Sequence, residues 1–231
     1  MRIKIMGFDN DIEFHEDFVN ILEIPDTNQF ANFLIKFNKV CYNEDDNEIV
    51  LLDKHERISF EKFSIMILDV LNINYNDKKI VSSIYDWIAK NNRIDSSVDE
   101  EFELIKQRLY LYMVNITNDL PFECYIDREI SVQDILKLFN IKVDASYCNS
   151  ILERIILFID ILSIVSPKML LMLVNLKSYL TEKELVELYK YILYKNMKVL
   201  LLENKQQNIL KHERKNILDM DYYDTVQVYK E

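Results

Sequence analysis

The 231-residue chain contains a single glycine, Gly7. A phosphate-binding P-loop needs two glycines ahead of its Lys-Ser/Thr pair, and a dinucleotide fingerprint needs two or three. Neither can be built, so phosphate cradling by a glycine-rich loop is excluded. Histidine is scarce as well. His15, His55 and His212 have no metal-ligand spacing, and no C-x-x-C, H-E-x-x-H or G-x-S-x-G run occurs. The usual signatures of hydrolases, zinc sites and nucleotide enzymes are missing, and a non-enzymatic protein is expected. Cys41, Cys124 and Cys148 are an odd, widely spaced set. They read as free thiols in a reducing compartment, with the cytoplasm as the default location.

Positive charge is in deficit too: 28 Lys and Arg stand against 39 Asp and Glu, a formal net charge of −11. Taken alone this argues against nucleic acid, whose binding depends on cations neutralising phosphates. Two escapes exist. Basic residues can gather on one face, or bound divalent cations can offset the carboxylates. Long apolar runs are absent: residues 151–165, the most apolar helix, include Arg154 and Asp160 and fall short of the ~20 residues a membrane span needs. The opening MRIKIMGFDND has neither a sustained apolar region nor a cleavage site, so no signal peptide is read.

What is present is an ordinary globular composition, 49% apolar and 29% charged. Residues 168–203 read as strand, helix, strand. The apolar runs 168–176 and 197–202 suit strands covered on both faces. Between them Thr181 and Glu184 form a T-x-x-E capping box, followed by Leu185, Leu188, Ile192 and Leu193 on one helical stripe. Parallel neighbours with a right-handed crossover follow, and the class is α/β. Upstream, 2–8 reads as a strand, and 12–14 with 18–24 as a small antiparallel addition. A helix is expected over 28–40 and a strand over 48–53. Residues 59–71, 77–91, 97–118 and 131–139 then read as helices, with Phe102, Ile105, Leu109, Tyr112, Met113 and Ile116 at helical spacing. Ser97 with Glu100, Ser131 with Asp134, and Ser150 with Glu153 are further capping boxes. A short strand at 141–144 and a last one at 224–229 complete the pattern. The domains are therefore 1–58, the first part of an α/β head; 59–140, an inserted helical domain; and 141–231, the second part of the head.

Three constellations could carry chemistry. Asp119, Glu123, Asp127, Glu129 and Asp134 crowd a stretch that includes Pro121. They are either a solvated acidic surface or oxygen ligands for a hard cation such as calcium. Lys195, Lys198, Lys205, Lys211, Arg214 and Lys215 face only Glu203 and Glu213 between 195 and 215, six positive against two negative. They are either a solvated face or a phosphate-backbone surface without base readout. Lys54 and Arg57 add to the second possibility, because they leave the end of a strand, where open α/β sheets bind ligands. Tyr189, Tyr191, Tyr194, Tyr222, Tyr223 and Tyr229 either pack the core or offer stacking and interface surface.

With this order of elements in hand, the chain resembles the Csn2 family, the adaptation protein of type II-A CRISPR systems. The resemblance is carried by KMLLMLVNLKSYLTEKELVELYKYILYKNMKVLLLE, the later ILDMDYY, and the preceding EISVQDILKLFNIKVD. It implies a RecA-like, degenerate P-loop-ATPase core without a Walker A loop and with an inserted helical domain. It also implies a calcium-stabilised homotetrameric ring without enzymatic activity. Such a ring threads double-stranded DNA by its ends and supports spacer acquisition in antiviral defence, alongside the integrase subunits and the RNA-guided effector nuclease. Asp119, Glu123 and Glu129 sit where the family's acidic, metal-binding stretch falls, with Asp127 between them. Lys54 and Arg57 occupy the family's basic exit from its early strand, while Lys205 and Lys211 join the DNA-binding set on charge alone. Two competing readings are an interaction scaffold that never touches DNA, and a metal-dependent nuclease using Asp119, Glu123 and Asp127.

Overall fold

The computed structural model describes residues 1–42, 47–91, 96–126, 130–205, 207–219, 221 and 223–229, with side chains from 100 onward in the helix that begins at 96. In chain order the strands are β1 (Arg2–Ile5), β2 (Ile12–Glu13), β3 (Val19–Glu23), β4 (Ile49–Asp53), β5 (Glu56–Ile58), β6 (Ser64–Ile67), β7 (Leu170–Val174), β8 (Lys198–Glu203), β9 (Glu213–Leu218) and β10 (Asp224–Val228). The helices are α1 (Thr27–Cys41), α2 (Phe60–Phe63), α3 (Lys78–Asn91), α4 (Ser96–Thr117), α5 (Val132–Leu138), α6 (Ile151–Val165) and α7 (Glu182–Tyr194). The backbone divides into two units, one made of Met1–Asn74 with Ala145–Glu231 and the other of Tyr75–Asp144.

The first unit holds two sheets. One is antiparallel, in the order β2-β1-β4-β5; the other runs β10-β9-β3-β8-β7-β6, parallel except at β10. The apolar runs at 170–174 and 198–203 do form parallel neighbours, Leu170 opposite Lys198 through Val174 opposite Leu202. Their crossover helix is capped as expected. The Thr181 hydroxyl accepts from Glu184 N, and Glu184 Oε2 accepts from Thr181 N at 2.8 Å. Side chains alternate across each parallel strand. Leu22, Leu170, Met172, Val174, Leu200, Leu202 and Leu218 share a core with α1 (Phe30, Phe37, Val40) and with Ile3, Ile5, Ile49 and Leu51 of the antiparallel sheet. The alternate positions, including Ile21, Leu171, Leu173 and Leu201, are fully buried on the other face. Leu185, Leu188, Tyr189 and Ile192 of α7 are also buried there, beside α6, which buries Ile155, Phe158, Ile159 and Leu162.

Five expectations change. Residues 59–71 are not one helix: α2 is a single turn capped by Ser59, and β6 follows, pairing with β7 from Ser64 opposite Leu170 to Ile67 opposite Leu173. The helical unit accordingly runs Tyr75–Asp144, against an expected insertion of 59–140. β3 is not part of an antiparallel addition; it lies between β8 and β9 at the centre of the parallel sheet. Residues 141–144 form no strand, and the basic segment before 218 contains one, β9.

In the second unit α3 packs against α5. The Tyr85 hydroxyl donates to Ile141 O at 3.1 Å, and Asn76 clasps the backbone of Val143 through both ends of its amide. Ser131 and Asp134 form their capping box; the Ser97 side chain lies outside the described residues. Much of the apolar stripe of α4 stays in the open, with Phe102 and Leu109 half-buried. Ile105, Tyr112, Met113 and Ile116 are each more than 40% exposed, and none of its described side chains is buried.

Candidate nucleic-acid interface

The basic residues are best taken by the element that carries each. Lys54 and His55 are the two-residue tip between β4 and β5, closed by the pairing of Asp53 with Glu56. Lys54 has a φ of 56°, a left-handed conformation that costs a non-glycine residue roughly 1–2 kcal/mol. Its side chain is exposed, as is that of Arg57, which donates to Asn47 Oδ1 at 3.2 Å. This hairpin belongs to the antiparallel sheet. Lys54 and Arg57 therefore do not stand at the ligand-binding end of the parallel strands, and the sequence argument that put them there fails.

Lys205 and Lys211 are exposed on the connector between β8 and β9. Lys195, Arg214 and Lys215 of the same cluster are turned to partners within the protein. The Lys195 ammonium lies 2.7 Å from Asp160 and over the Tyr191 ring, and its bond to Asp160 raises its pKa. Arg214 reaches back to the Glu13 carbonyl at 3.4 Å. Lys215 is fully buried against Glu23 at 2.9 Å. A run of like charges in sequence is thus split between surface and core.

The tyrosines divide in the same way. Tyr189 is buried and donates to Glu213 Oε1 at 2.8 Å, and burial and that carboxylate push its pKa well above the usual value. Tyr191 donates to Asp160 at 2.5 Å. Tyr194 and Tyr223 are exposed and Tyr229 half-buried; Tyr222 lies outside the described residues.

Asp119 and Glu123 are both exposed in the irregular stretch after α4, while Asp127 and Glu129 lie outside the described residues. Asp134, the remaining carboxylate of that set, is committed to its cap. Among the described residues no three His, Cys, Asp or Glu side chains come together in a way that could hold a metal ion. Asp119 and Glu123 are the hard oxygen donors calcium takes, and they supply part of the six to eight ligands it needs.

Sequence reasoning missed a buried ionic network beneath α7. Lys177, in the turn after β7, sends its ammonium to Glu213 at 2.5 Å and its backbone N–H to Glu203 Oε1 at 3.0 Å. Lys215 binds Glu23 and also the carbonyl of Gln207. Glu23, Glu203, Glu213, Lys177 and Lys215 are all 5% exposed or less. Burial pushes Glu203 up to about 7, against the pull of the Lys177 and Leu176 backbone N–H groups and the Lys177 charge; Glu213 pushes it further up. The available signal was a lone charge at the edge of each apolar run: NILE, VNLK, VLLLE.

With this geometry fixed, the chain can be set beside known proteins. A family model described as "CRISPR-associated protein (Cas_Csn2)" matches residues 41–222. The chain belongs to the Csn2 family. Its relatives include the CRISPR-associated protein Csn2 of Enterococcus faecalis, 26% identical over 228 residues, with 96% of this chain and 97% of that one covered. The Csn2 of Streptococcus agalactiae is 23% identical over 209 residues, covering 88% of each. A solved structure, Stu0660 of Streptococcus thermophilus, superposes with a TM-score of 0.62 at 14% identity, over all of this chain and 77% of that one. That likeness concerns the fold.

Proposed function

We propose that this Csn2-family chain is a non-catalytic double-stranded DNA-binding protein that closes into a homotetrameric ring and supports CRISPR spacer acquisition. The observation that carries the non-catalytic half is the junction between β3 and α1. A nucleotide fold would place its phosphate loop after the central strand, with the phosphate on the next helix's N-terminus. Here the junction reads Glu23-Ile24-Pro25-Asp26 without a glycine, and the Asp26 carboxylate itself caps α1, accepting from Gln29 N at 2.8 Å. The position a phosphate would take carries the protein's own negative charge. A degenerate P-loop-ATPase-like core is the reading this supports.

Family membership and the exposed side chains of Lys54, Arg57, Lys205 and Lys211 support contact with DNA backbone. A closed ring lets an acidic chain do this, because symmetry gathers one basic face from each subunit around an axis. The open apolar stripe of α4 supports self-association, since contiguous exposed apolar surface marks interaction sites. Calcium would stabilise the assembly at Asp119 and Glu123, with Asp127 and Glu129 as the next carboxylates in sequence. Integrase subunits and the effector nuclease are the partners this role implies.

The scaffold reading keeps one observation in its favour: Lys195, Arg214 and Lys215 are committed to internal partners, which thins the basic surface. Charge reversal at Lys54, Arg57, Lys205 and Lys211 together separates the two. Loss of the shift of linear duplex in a gel, with the fold intact by circular dichroism, is expected; an unchanged shift favours the scaffold.

A further inference from the structure

We propose that Glu23 and Glu203 share one proton, which closes the charge balance of the buried network and fixes the connector between β8 and β9. The two residues are register partners on neighbouring parallel strands, so their side chains leave the same face of the sheet from backbones about 4.8 Å apart. Glu23 is 0% exposed and Glu203 2%. The Lys215 ammonium goes to Glu23 Oε2 and that of Lys177 to Glu213, so three carboxylates meet two cations. An uncompensated charge at this depth is costlier than taking up a proton, and neighbouring carboxyls resist ionising together. Glu23 Oε1 is buried and has no hydrogen-bond partner among the described residues; a hydroxyl on Glu203 supplies the missing donor. Among the described residues the other titratable groups facing the pair are Lys177 from the turn after β7, Tyr189 from α7, and Glu213 and Lys215 from β9. The Tyr189 hydroxyl is already committed to Glu213, which leaves Glu203 as the proton's carrier. The upward shift of Glu203 agrees.

The connector hangs on the same groups. Glu23 Oε2 accepts from Gln207 N at 3.4 Å, Lys215 holds the Gln207 carbonyl, and Glu213 Oε2 accepts from Leu210 N at 2.9 Å. Asn175 Oδ1 accepts from Asn204 N at 3.2 Å. The main chain that presents Lys205 and Lys211 is thus fixed from beneath by a network whose charge depends on one proton. The proton site stands whether or not the connector meets DNA.

Carboxyl-carbon NMR of the full chain labelled at glutamate, titrated from about pH 4 to about pH 9, tests it. One buried carboxyl is expected to keep its proton to about pH 7. That signal disappears in Glu203→Gln, and in Glu23→Gln its midpoint moves down, because the protonated form loses the carboxylate to which it donates. Amide exchange at Gln207 and Leu210, corrected for intrinsic rates, reads the connector. Protection falls by up to about tenfold per pH unit between about pH 5 and about pH 7 and then levels off, and in Glu203→Gln it is flat. A wild type whose glutamates all titrate in the ordinary range overturns the shared proton, as does an unmoved midpoint in Glu23→Gln. An exchange slope unchanged in Glu203→Gln overturns the link to the connector.

Discussion

Replacing Glu203 by glutamine should remove a pH dependence from the stability of the first unit. The Glu203 carboxyl titrates at about 7 in the folded chain against an ordinary value of 4.5. Its folded pKa is raised, so its stabilising contribution is complete below the unfolded value and is lost as the pH climbs through the folded one. At 1.36 kcal/mol per unit, the interval corresponds to about 3 kcal/mol, a sizeable share of the 5–15 kcal/mol that holds a typical domain together. Glutamine keeps the oxygen that accepts from Lys177 N and never ionises. Urea unfolding followed by far-ultraviolet circular dichroism, at about pH 5, 6, 7 and 8, gives both stability curves. The wild type should lose ground to the variant by up to about 3 kcal/mol between about pH 5 and about pH 7, with no further loss above. A stability difference that stays constant over that range would refute the reasoning.

Two further outcomes follow from the same packing. Lys215→Met leaves Glu23 buried without its ammonium, so a loss of about 3–5 kcal/mol is expected in urea unfolding; a change under about 1 kcal/mol would mean that the pair is not buried as described. Ile105→Ser with Met113→Ser, both on the open stripe of α4, should change monomer stability by no more than about 0.5 kcal/mol each while lowering the solution mass. An unchanged mass would remove α4 from the assembly.

Much of the fold was legible because local signals agreed with one another. The Thr181, Ser150 and Ser131 boxes sit where their spacing put them, and each opens a helix. The two uninterrupted apolar runs either side of Thr181 became buried parallel strands because a strand covered on both faces has no polar side to show. β6 escaped notice for a physical reason. In FEKFSIMIL the apolar residues fit a helical period as well as a strand, and long-range pairing with β7 decided the outcome. β9 was hidden by its own sequence, ERKNIL, which reads as a solvated segment until Lys215 finds Glu23 at a separation of 192 residues. The same distance in sequence explains the misjudged basic cluster. Charges adjacent along the chain reveal nothing about partners brought in by the sheet. The exposed set of Lys54, Arg57, Lys205 and Lys211 was visible in sequence as charge, yet the expected place of Lys54 at the ligand-binding end of the parallel strands fell once β4 proved to belong to the antiparallel sheet.

The proposed role turns on threading, and one comparison tests it most directly. Purified protein in calcium is titrated into linear duplex and into covalently closed circles of the same sequence, and the two affinities are measured at one salt concentration. The linear form should be bound and the circle excluded, with binding of the linear form weakened when calcium is chelated. Equal binding of the two forms would contradict a closed ring that takes DNA by its ends.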